Sequence, residues 1–429
     1  MARLLVEPSE IGGRIEAQPS KSYTHRLLAI SLLADGKSSI SNPLLSLDTK
    51  ATLEAIRFFG ADVKNADGGW EVFGTGGDLK PYDKVINVRN SGTTLRFMTA
   101  ISALSPESVR LTGDKSILRR PMGPLVESLS DLGVYVRCEG PSGRPPVVVG
   151  EGLVGGETRI VGTVSSQFVS GVLIVSPYSE VGVDLEVEEG LKSKPYVEMT
   201  LKTLEIAGAE IKSERSLMSY SIPGNQIFQP IDYTVPGDFS SAAFLLGAGA
   251  LSERGVEVTN LDPDDVQGDK RIIELLKDFG AEVNVGRETV SVSSGGGLEG
   301  IDVDCSDTPD LVPVLAVLGA VAEGQTRLYN IAHLRFKEVD RIYALVRELK
   351  KLGVRVEESE DDLKIYGKGR LKGGELDSHG DHRMVMSLAI AGLVADDVVK
   401  IKGAESINVS YPRFVEDMRR LGAKVKVED

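Results

Sequence analysis

The spacing of hydrophobic residues alternates along the chain, in a regular order, between the spacing of strands and that of helices. The first stretch to do so contains an extended RIEAQ, an apolar KSYTHRLLAISLLAD, an extended KSSISNPL and DTKATLEAIRFFG, in which apolar residues recur at helical spacing. Gly60 stands where a helix should end, and two short extended pieces follow on either side of a turn at residues 67–69. The pattern predicts the order β-α-β-α-β-β.

The same pattern occurs six times. The segments FFGADV, LGVYV, AGAEI, FGAEV, LGVRV and LGAKV each follow an amphipathic stretch, and their glycines are 69 to 75 residues apart. This regularity indicates six copies of one supersecondary unit. The first helix of each copy, such as LVPVLAVLGAVA, is apolar nearly all round and is expected in the interior, whereas the second, such as ALVRELKKL, is amphipathic.

The six copies predict an α/β fold with two similar domains of three units each. A chain of 429 residues is longer than one hydrophobic core usually holds. The segment QIFQPIDYTVPGDF breaks the pattern with two prolines and a glycine. We therefore predict one domain made of residues 1–16 plus 232–429, a second made of residues 17–231, and chain crossings near residues 16–20 and 228–236. The first strand, LLVEP, is expected with the C-terminal half.

Composition narrows the class of protein. Hydrophobic residues make up 41% and charged residues 26%, as in ordinary soluble proteins, and the net charge of −14 argues against nonspecific nucleic-acid binding. The longest apolar runs are shorter than the ~20 residues of a membrane span, and the N-terminus does not resemble a secretory signal. Two distant cysteines, Cys138 and Cys305, indicate neither a disulfide framework nor a thiolate metal site. We expect a cytoplasmic protein, a monomer by default, with no nucleic-acid or membrane partner.

A short polar cluster precedes each apolar helix: PSKSYTHR, NSGTT, SSQ, PGDFSS, DTPD and SHGDHR. Each cluster taken alone is explained by helix capping. Capping does not explain the cations Lys21, Arg26, His382 and Arg383, which oppose the helix dipole. If the helices of a domain run parallel, their N-termini converge on one face that binds anions. Arg120 and the segment LRFKEVDR add to the basic set, although a solvated helix face is an alternative for KEVDR.

Eight ordered segments resemble the EPSP synthase family, the 3-phosphoshikimate 1-carboxyvinyltransferases. They are QPSKSYTHR, NSGTTLR, LTGDKSILRRPM, VSSQFVS, LKSKPYVEMT, DTPD, LRFKEVDRI and DHRMVMS. The resemblance implies two inside-out α/β barrels with the active site in the cleft between them, which closes on the substrates. It also implies a reaction of the shikimate pathway, toward chorismate and the aromatic amino acids. In that reaction the enolpyruvyl group of phosphoenolpyruvate passes to the 5-hydroxyl of shikimate 3-phosphate by addition and elimination, without cofactor or metal.

The resemblance further implies a role for individual residues. Lys21, Asp310 and Glu338 would be catalytic: Asp310 would deprotonate the 5-hydroxyl, Glu338 would transfer the proton at C3 of phosphoenolpyruvate, and Lys21 would assist and touch both substrates. Shikimate 3-phosphate would also be bound by Ser22, Arg26, Ser165, Ser166, Gln167, Ser193, Tyr196, Asp310 and Lys337. Phosphoenolpyruvate would also be bound by Gly92, Arg120, Gln167, Arg341 and Arg383.

The chain departs from the family pattern at two positions. His333 stands where many members have asparagine, and Val409 stands where many have lysine, which removes one cation from the phosphoenolpyruvate phosphate. A paired-histidine metal site at His379 and His382 is disfavoured, because four histidines and no nearby third ligand fit a hydrogen-bonding role better.

Two alternative functions remain open at this point. The sister transferase that acts on UDP-N-acetylglucosamine characteristically has Lys-Asn in the first cluster and a cysteine in the loop that aligns with GDKSILRRP. This chain has Lys21-Ser22 and no cysteine in that loop. A noncatalytic repeat scaffold gives no reason for charged residues to gather at the helix starts.

Overall fold

A computed structural model describes residues 2–150 and 152–428 and gives the bounds of every regular element in them. The strands are β1 (Arg3–Glu7), β2 (Gly13–Glu16), β3 (Lys37–Ser41), β4 (Asp62–Ala66), β5 (Gly69–Phe73), β6 (Val85–Asn87), β7 (Val109–Thr112), β8 (Val136–Gly140), β9 (Arg144–Val149), β10 (Gly156–Val161), β11 (Val183–Glu188), β12 (Lys212–Ser213), β13 (Ser219–Ile222), β14 (Asp232–Thr234), β15 (Val256–Thr259), β16 (Glu282–Val285), β17 (Thr289–Ser293), β18 (Asp302–Asp304), β19 (Gly324–Tyr329), β20 (Arg355–Glu358), β21 (Asp362–Gly367), β22 (Gly374–Asp377), β23 (Val399–Lys402) and β24 (Lys424–Glu428). The α-helices are α1 (Lys21–Leu33), α2 (Leu47–Phe58), α3 (Gly92–Ile101), α4 (Gly123–Asp131), α5 (Ser166–Val175), α6 (Lys194–Ile206), α7 (Phe239–Ala250), α8 (Ile272–Asp278), α9 (Val312–Val321), α10 (Arg341–Lys351), α11 (His382–Leu393) and α12 (Phe414–Arg420).

The chain divides into two compact units. The inserted unit is Pro19–Val235, and the terminal unit is Met1–Gln18 together with Pro236–Asp429. The sequence-based boundaries fell at residues 16 and 232, a few residues before these divisions. Each unit contains six α-helices of the described chain, α1 to α6 in the inserted unit and α7 to α12 in the terminal unit.

Six four-stranded sheets share one design. The uninterrupted examples have the strand orders β6-β7-β9-β8, β10-β11-β13-β12 and β18-β19-β21-β20. In each, an edge strand pairs in parallel with the next strand along the chain, and that second strand pairs antiparallel with a hairpin. A parallel pair needs a crossover, which the first helix of the copy supplies. The predicted α/β fold of β-α-β-α-β-β units is confirmed.

Three sheets are completed by strands from distant parts of the chain. β1 pairs with both β23 and β24, so the N-terminal strand belongs with the C-terminal half, as predicted. β2, which contains the RIEAQ stretch interpreted as the first strand of copy one, pairs instead with β15. β14 takes the vacant position beside β3. Residues 232–234, predicted to lie in the discontinuous domain, thus pair within the inserted unit.

The first helix of each copy is interior, as its sequence indicated. All ten residues of α3 and all twelve of α7 are buried. In the terminal unit, α7, α9 and α11 form the centre of one hydrophobic cluster that the sheets cover. No helix within the described residues is long and apolar enough to cross a membrane.

The second helix of each copy ends two residues before one of the six repeated glycines. Their φ angles lie between 79° and 104°, in the left-handed region that side chains disfavour: Gly60, Gly133, Gly208, Gly280, Gly353 and Gly422. Each glycine therefore ends a helix and turns the chain into the following hairpin. This local requirement explains why the repeat is so regular in sequence.

Candidate active site

Polar residues cap the interior helices. Ser20, Ser91, Ser165 and Asp381 each accept a hydrogen bond from a backbone N–H in the first turn of the helix that follows. Capping therefore accounts for four of the six polar clusters, and the cations in these clusters require a separate explanation.

In the inserted unit, Lys21 begins α1 and pairs with an acidic residue on α2. Its Nζ lies 2.8 Å from Oδ2 of Asp48, which is buried in the first turn of α2. Although burial favours the neutral acid, the charge of Lys21, with His25 beside it, holds the pKa of Asp48 well below its usual range. The ion pair keeps the Lys21 ammonium at the N-termini of two helices, where an anion would also be favoured.

Arg26 lies about one turn further along α1 and donates hydrogen bonds to other groups of the protein. Its Nε donates to the Thr200 hydroxyl at 2.8 Å, and its two terminal nitrogens donate to the carbonyls of Ser22 and Tyr196 at 2.9 and 2.7 Å. Burial lowers the pKa of Arg26 to about 10. Three of the five N–H donors of Arg26 therefore bond to protein oxygens, and those to Thr200 and Tyr196 join α1 to α6.

Gly92 is the first residue of α3 and lies against two guanidinium groups. A Cβ atom at this position would be 2.1 Å from Nη1 of Arg120 and 3.0 Å from Nη1 of Arg96. Arg120 follows a short 3₁₀ turn at residues 117–119 and is 95% buried. The absence of a side chain at Gly92 lets the Arg120 guanidinium approach the start of a helix.

Gln167 connects the starts of α3 and α5. Its Oε1 accepts from Nη1 of Arg96 at 2.6 Å, and its Nε2 donates to the Thr93 hydroxyl at 2.9 Å. The preceding residues, Ser165 and Ser166, are the N-cap and first residue of α5. The structure thus brings Gln167 into the same set of helix starts as Gly92.

Ser193 precedes α6 in a strained conformation. Its φ and ψ are 58° and 44°, in the left-handed region, and its side chain does not cap the helix. Backbone strain of this kind persists where the surrounding structure fixes it, commonly at functional sites. Tyr196 follows in the first turn of α6, and its carbonyl receives Arg26 as described above.

In the terminal unit, Arg341 is surrounded by three carboxylates. Its Nε contacts Asp381 at 2.7 Å, Nη1 contacts Asp310 at 2.9 Å, and Nη2 contacts Glu338 at 2.8 Å. Burial opposes the charge of Arg341, but the three carboxylates outweigh it and raise the pKa of the guanidinium above its usual value. The predicted residues Asp310, Glu338 and Arg341 therefore form one cluster.

Asp310 also connects Arg341 to Arg383. Its second oxygen lies 2.8 Å from Nη2 of Arg383, whose Nη1 donates to the carbonyl of Ser240 at 3.3 Å. Asp381 is fully buried and also caps α11 by accepting from the Arg383 amide. The starts of α7, α10 and α11 are thereby joined through two arginines.

The two positions that depart from the family pattern are buried in the terminal unit. His333 is in a 3₁₀ turn at residues 332–336, and Lys337 follows that turn directly. Val409 ends another 3₁₀ segment at residues 404–409 and packs as an apolar side chain. Within the described residues there is no group of three or more His, Cys, Asp or Glu that could hold a metal.

Sequence reasoning missed several members of these clusters. Asp48 and Asp381 were not selected because an acid at a helix start is explained by the dipole alone. Arg96 lies one turn after Gly92 within NSGTTLR, and that spacing was the signal that could have identified it.

Repeated units that present Lys and Arg side chains at helix starts define an α/β enzyme for small anionic substrates. A family model described as EPSP synthase (3-phosphoshikimate 1-carboxyvinyltransferase) matches residues 5–418. Two curated relatives named 3-phosphoshikimate 1-carboxyvinyltransferase are similar over almost all of both chains. The protein of Methanococcoides burtonii is 46% identical over 99% of this chain and 99% of its own, and that of Methanothrix thermoacetophila is 48% identical over 98% of each. The chain belongs to the EPSP synthase family.

A solved structure agrees with the sequence relatives. The EPSP synthase of Acinetobacter baumannii is 28% identical, with a TM-score of 0.83 over 100% of both chains. The prediction of the family made from eight short segments is thereby confirmed over the whole fold.

Proposed function

We propose that the chain transfers the enolpyruvyl group of phosphoenolpyruvate to the 5-hydroxyl of shikimate 3-phosphate. The products are 5-enolpyruvylshikimate 3-phosphate and inorganic phosphate. The observation that carries the proposal is the set of buried or half-buried cations at helix starts, Lys21, Arg120, Arg341 and Arg383, in a chain of the EPSP synthase family. Guanidinium groups at helix N-termini suit both phosphate and carboxylate.

The reaction requires balanced proton transfers. The oxygen of the 5-hydroxyl forms a bond to C2 of phosphoenolpyruvate while C3 gains a proton and the hydroxyl loses one. The tetrahedral intermediate then loses the C3 proton, the bond from C2 to the phosphate oxygen breaks, and phosphate leaves. This sequence needs an acid, a base and stabilisation of anionic oxygens.

We assign the phosphoenolpyruvate groups to Arg120, Arg341 and Arg383, with Gly92 as the position that must lack a side chain. Asp310 pairs with terminal nitrogens of Arg341 and Arg383, and Glu338 pairs with Nη2 of Arg341. An arriving anion would compete with Glu338 for Nη2 of Arg341, because carboxylate and phosphate oxygens accept from the same N–H groups of a guanidinium. Glu338, whose Oε2 accepts from Nη2 of Arg341 at 2.8 Å, is the group that we propose for proton transfer at C3.

Asp310 remains the proposed base for the 5-hydroxyl. It is held by two arginines, which fix its position, and its side chain is partly exposed to solvent. Lys21 is proposed to neutralise charge on both substrates. The proposal therefore assigns groups of both units to one reaction.

The remaining predicted residues are proposed to bind shikimate 3-phosphate. Ser165, Ser166, Ser193 and Lys337 would bind its phosphate, and Ser22, Gln167 and Tyr196 its ring. Support comes from the positions of Ser165, Ser166 and Ser193 at helix starts and from the strained backbone of Ser193. Arg26 is proposed to act on this substrate by positioning Tyr196.

We place the protein in the cytoplasm as a monomer. Both cysteines are free thiols, which is usual in a reducing compartment. Light scattering during size-exclusion chromatography, with and without shikimate 3-phosphate, tests the monomer.

Phosphate release tests the proposed reaction. Purified protein is mixed with phosphoenolpyruvate and either shikimate 3-phosphate or UDP-N-acetylglucosamine, without added metal or nucleotide. We expect release with shikimate 3-phosphate alone. Release with the UDP-sugar alone would assign the chain to the sister reaction. No phosphate release with either acceptor would support a noncatalytic role.

A further inference from the structure

The ion pair of Lys21 and Asp48 is one end of a longer buried chain of polar side chains. Lys21 and His25 are one turn apart on α1, and Asp48 and Thr52 are one turn apart on α2. Residues four apart lie on the same face of a helix. The two pairs therefore face each other across the contact between α1 and α2.

His25 occupies the centre of this chain. Its Nε2 lies 3.6 Å from Oδ1 of Asp48, and its Nδ1 lies 2.7 Å from the hydroxyl of Thr52. The imidazole is thus placed between the partner of Lys21 and a hydroxyl on α2.

The chain continues from Thr52 to the start of α3. The Thr52 and Thr94 hydroxyls are 2.6 Å apart, and the Thr94 hydroxyl donates to Oγ of Ser91 at 2.6 Å. Ser91 caps α3, whose first residue is Gly92. Hydrogen bonds therefore join His25 to the turn that carries Gly92, and the 3.6 Å contact of His25 with Asp48, which is longer than a hydrogen bond, brings this series against the partner of the Lys21 ammonium.

Burial indicates that this series has a function beyond packing. Every member except Lys21 is buried, and His25, Thr52, Thr94 and Ser91 are completely so. Polar groups in such surroundings are costly unless they are satisfied, and an apolar interface between the helices would avoid that cost. Burial lowers the pKa of His25 against the opposing effect of Asp48, which favours the neutral imidazole, and its Nδ1 is hydrogen-bonded to Thr52.

We propose that His25 is a positioning residue for the transfer reaction. Through Asp48 it orients the Lys21 ammonium, and through Thr52 and Thr94 it ties that orientation to the Ser91–Gly92 turn. This inference rests on the proposed function and deepens it, because it gives a buried side chain that touches neither substrate a role in aligning both.

The test compares His25→Ala, His25→Gln and a matched control. His25→Ala removes the hydrogen bond to Thr52 and the contact with Asp48, and we expect kcat to fall about tenfold or more, because both side chains are left buried without this neighbour. We expect the KM for shikimate 3-phosphate to change less than about threefold. His25→Gln supplies an amide donor and acceptor and should recover most of kcat. Thr203→Val removes a buried hydroxyl of α6 that bonds only to backbone carbonyls of its own helix, and should leave kcat unchanged.

The outcomes separate this inference from the proposed function. No phosphate release by the wild type would overturn the proposed function and this inference with it. Release by the wild type with equal kcat in His25→Ala, or no recovery in His25→Gln, would overturn the inference alone. If circular dichroism shows that His25→Ala does not fold, Thr52→Val decides, because it removes the hydroxyl that joins His25 to Thr94 and leaves His25 and Asp48 in place. We then expect a severalfold higher KM for phosphoenolpyruvate, and an unchanged value would refute the role.

Discussion

Replacement of Gly92 by alanine should weaken the binding of phosphoenolpyruvate and leave the affinity for shikimate 3-phosphate unchanged. The new Cβ would stand 2.1 Å from Nη1 of Arg120, whereas ordinary contact begins at 3.4 Å. The guanidinium must therefore move by about 1.3 Å, the difference between those distances. A misplacement of about 1 Å in a positioning group can cost about 100-fold in rate. We expect kcat/KM for phosphoenolpyruvate to fall by about 10- to 100-fold.

Steady-state phosphate release at varied phosphoenolpyruvate measures this effect, and calorimetry measures the affinity for shikimate 3-phosphate. Gly123→Ala is the matched control, because Gly123 also begins a helix and its added Cβ would meet nothing closer than 3.8 Å. The control should match the wild type in both measurements.

Two results would refute the reasoning. An unchanged KM for phosphoenolpyruvate in Gly92→Ala would mean that the Arg120 guanidinium does not bind this substrate in the observed position. An equal loss in Gly123→Ala would mean that a change in helix starts, rather than the contact with Arg120, is responsible.

Three further predictions concern buried charge. Arg341→Met leaves Asp310, Glu338 and Asp381 without their shared partner and should lower the free energy of unfolding by about 3–5 kcal/mol in urea denaturation; a loss below about 1 kcal/mol would contradict the cluster. Burial, with Asp310 nearby, raises the pKa of Asp269 from 3.8 to about 7, so the unfolded chain releases this proton first and the native state loses relative stability as pH rises between those values. Asp269→Asn should therefore match the wild-type melting temperature at pH 4 and exceed it at pH 8. The corresponding difference in the free energy of unfolding at pH 8 has an upper limit of about 4 kcal/mol. A difference in melting temperature that does not depend on pH would refute the assignment. Arg26→Lys cannot reproduce the contacts to Thr200, Ser22 and Tyr196, and should weaken shikimate 3-phosphate binding in calorimetry several-fold without changing the KM for phosphoenolpyruvate.

The repeat and the interior helices could be predicted because both depend on local pattern. Each repeated glycine adopts a conformation that other residues disfavour, and each apolar helix is hydrophobic on every face. The exchange of β2 and β14 could not be predicted in the same way. RIEAQ is adjacent to α1 in sequence, but its partner, β15, lies about 240 residues away, and a short alternating strand does not specify its neighbour.

In the site, the sequence indicated which residues belong to it but not which partners their side chains bond to. Resemblance to the family pointed to Arg341 and Asp310, which the structure joins, and the ligand roles of both stay predictions. Arg26 was interpreted as a ligand for an anion because a cation near a helix start needs one. The structure directs three of its donors at protein oxygens, and the role of Arg26 toward a ligand stays a prediction. Such pairing depends on the approach of α6, which the sequence around Arg26 does not encode.

The position of β1 between β23 and β24 sets an order for folding during synthesis. All four strands of each sheet in the inserted unit are available once residue 235 has been made. β1 is made first among the described strands but finds both of its neighbours only after residue 424, because it is an inner strand of a sheet built from the last part of the chain. Leu4 and Val6, which are buried in the folded protein, therefore lack both neighbouring strands until the end of synthesis, and an exposed strand of this kind favours aggregation.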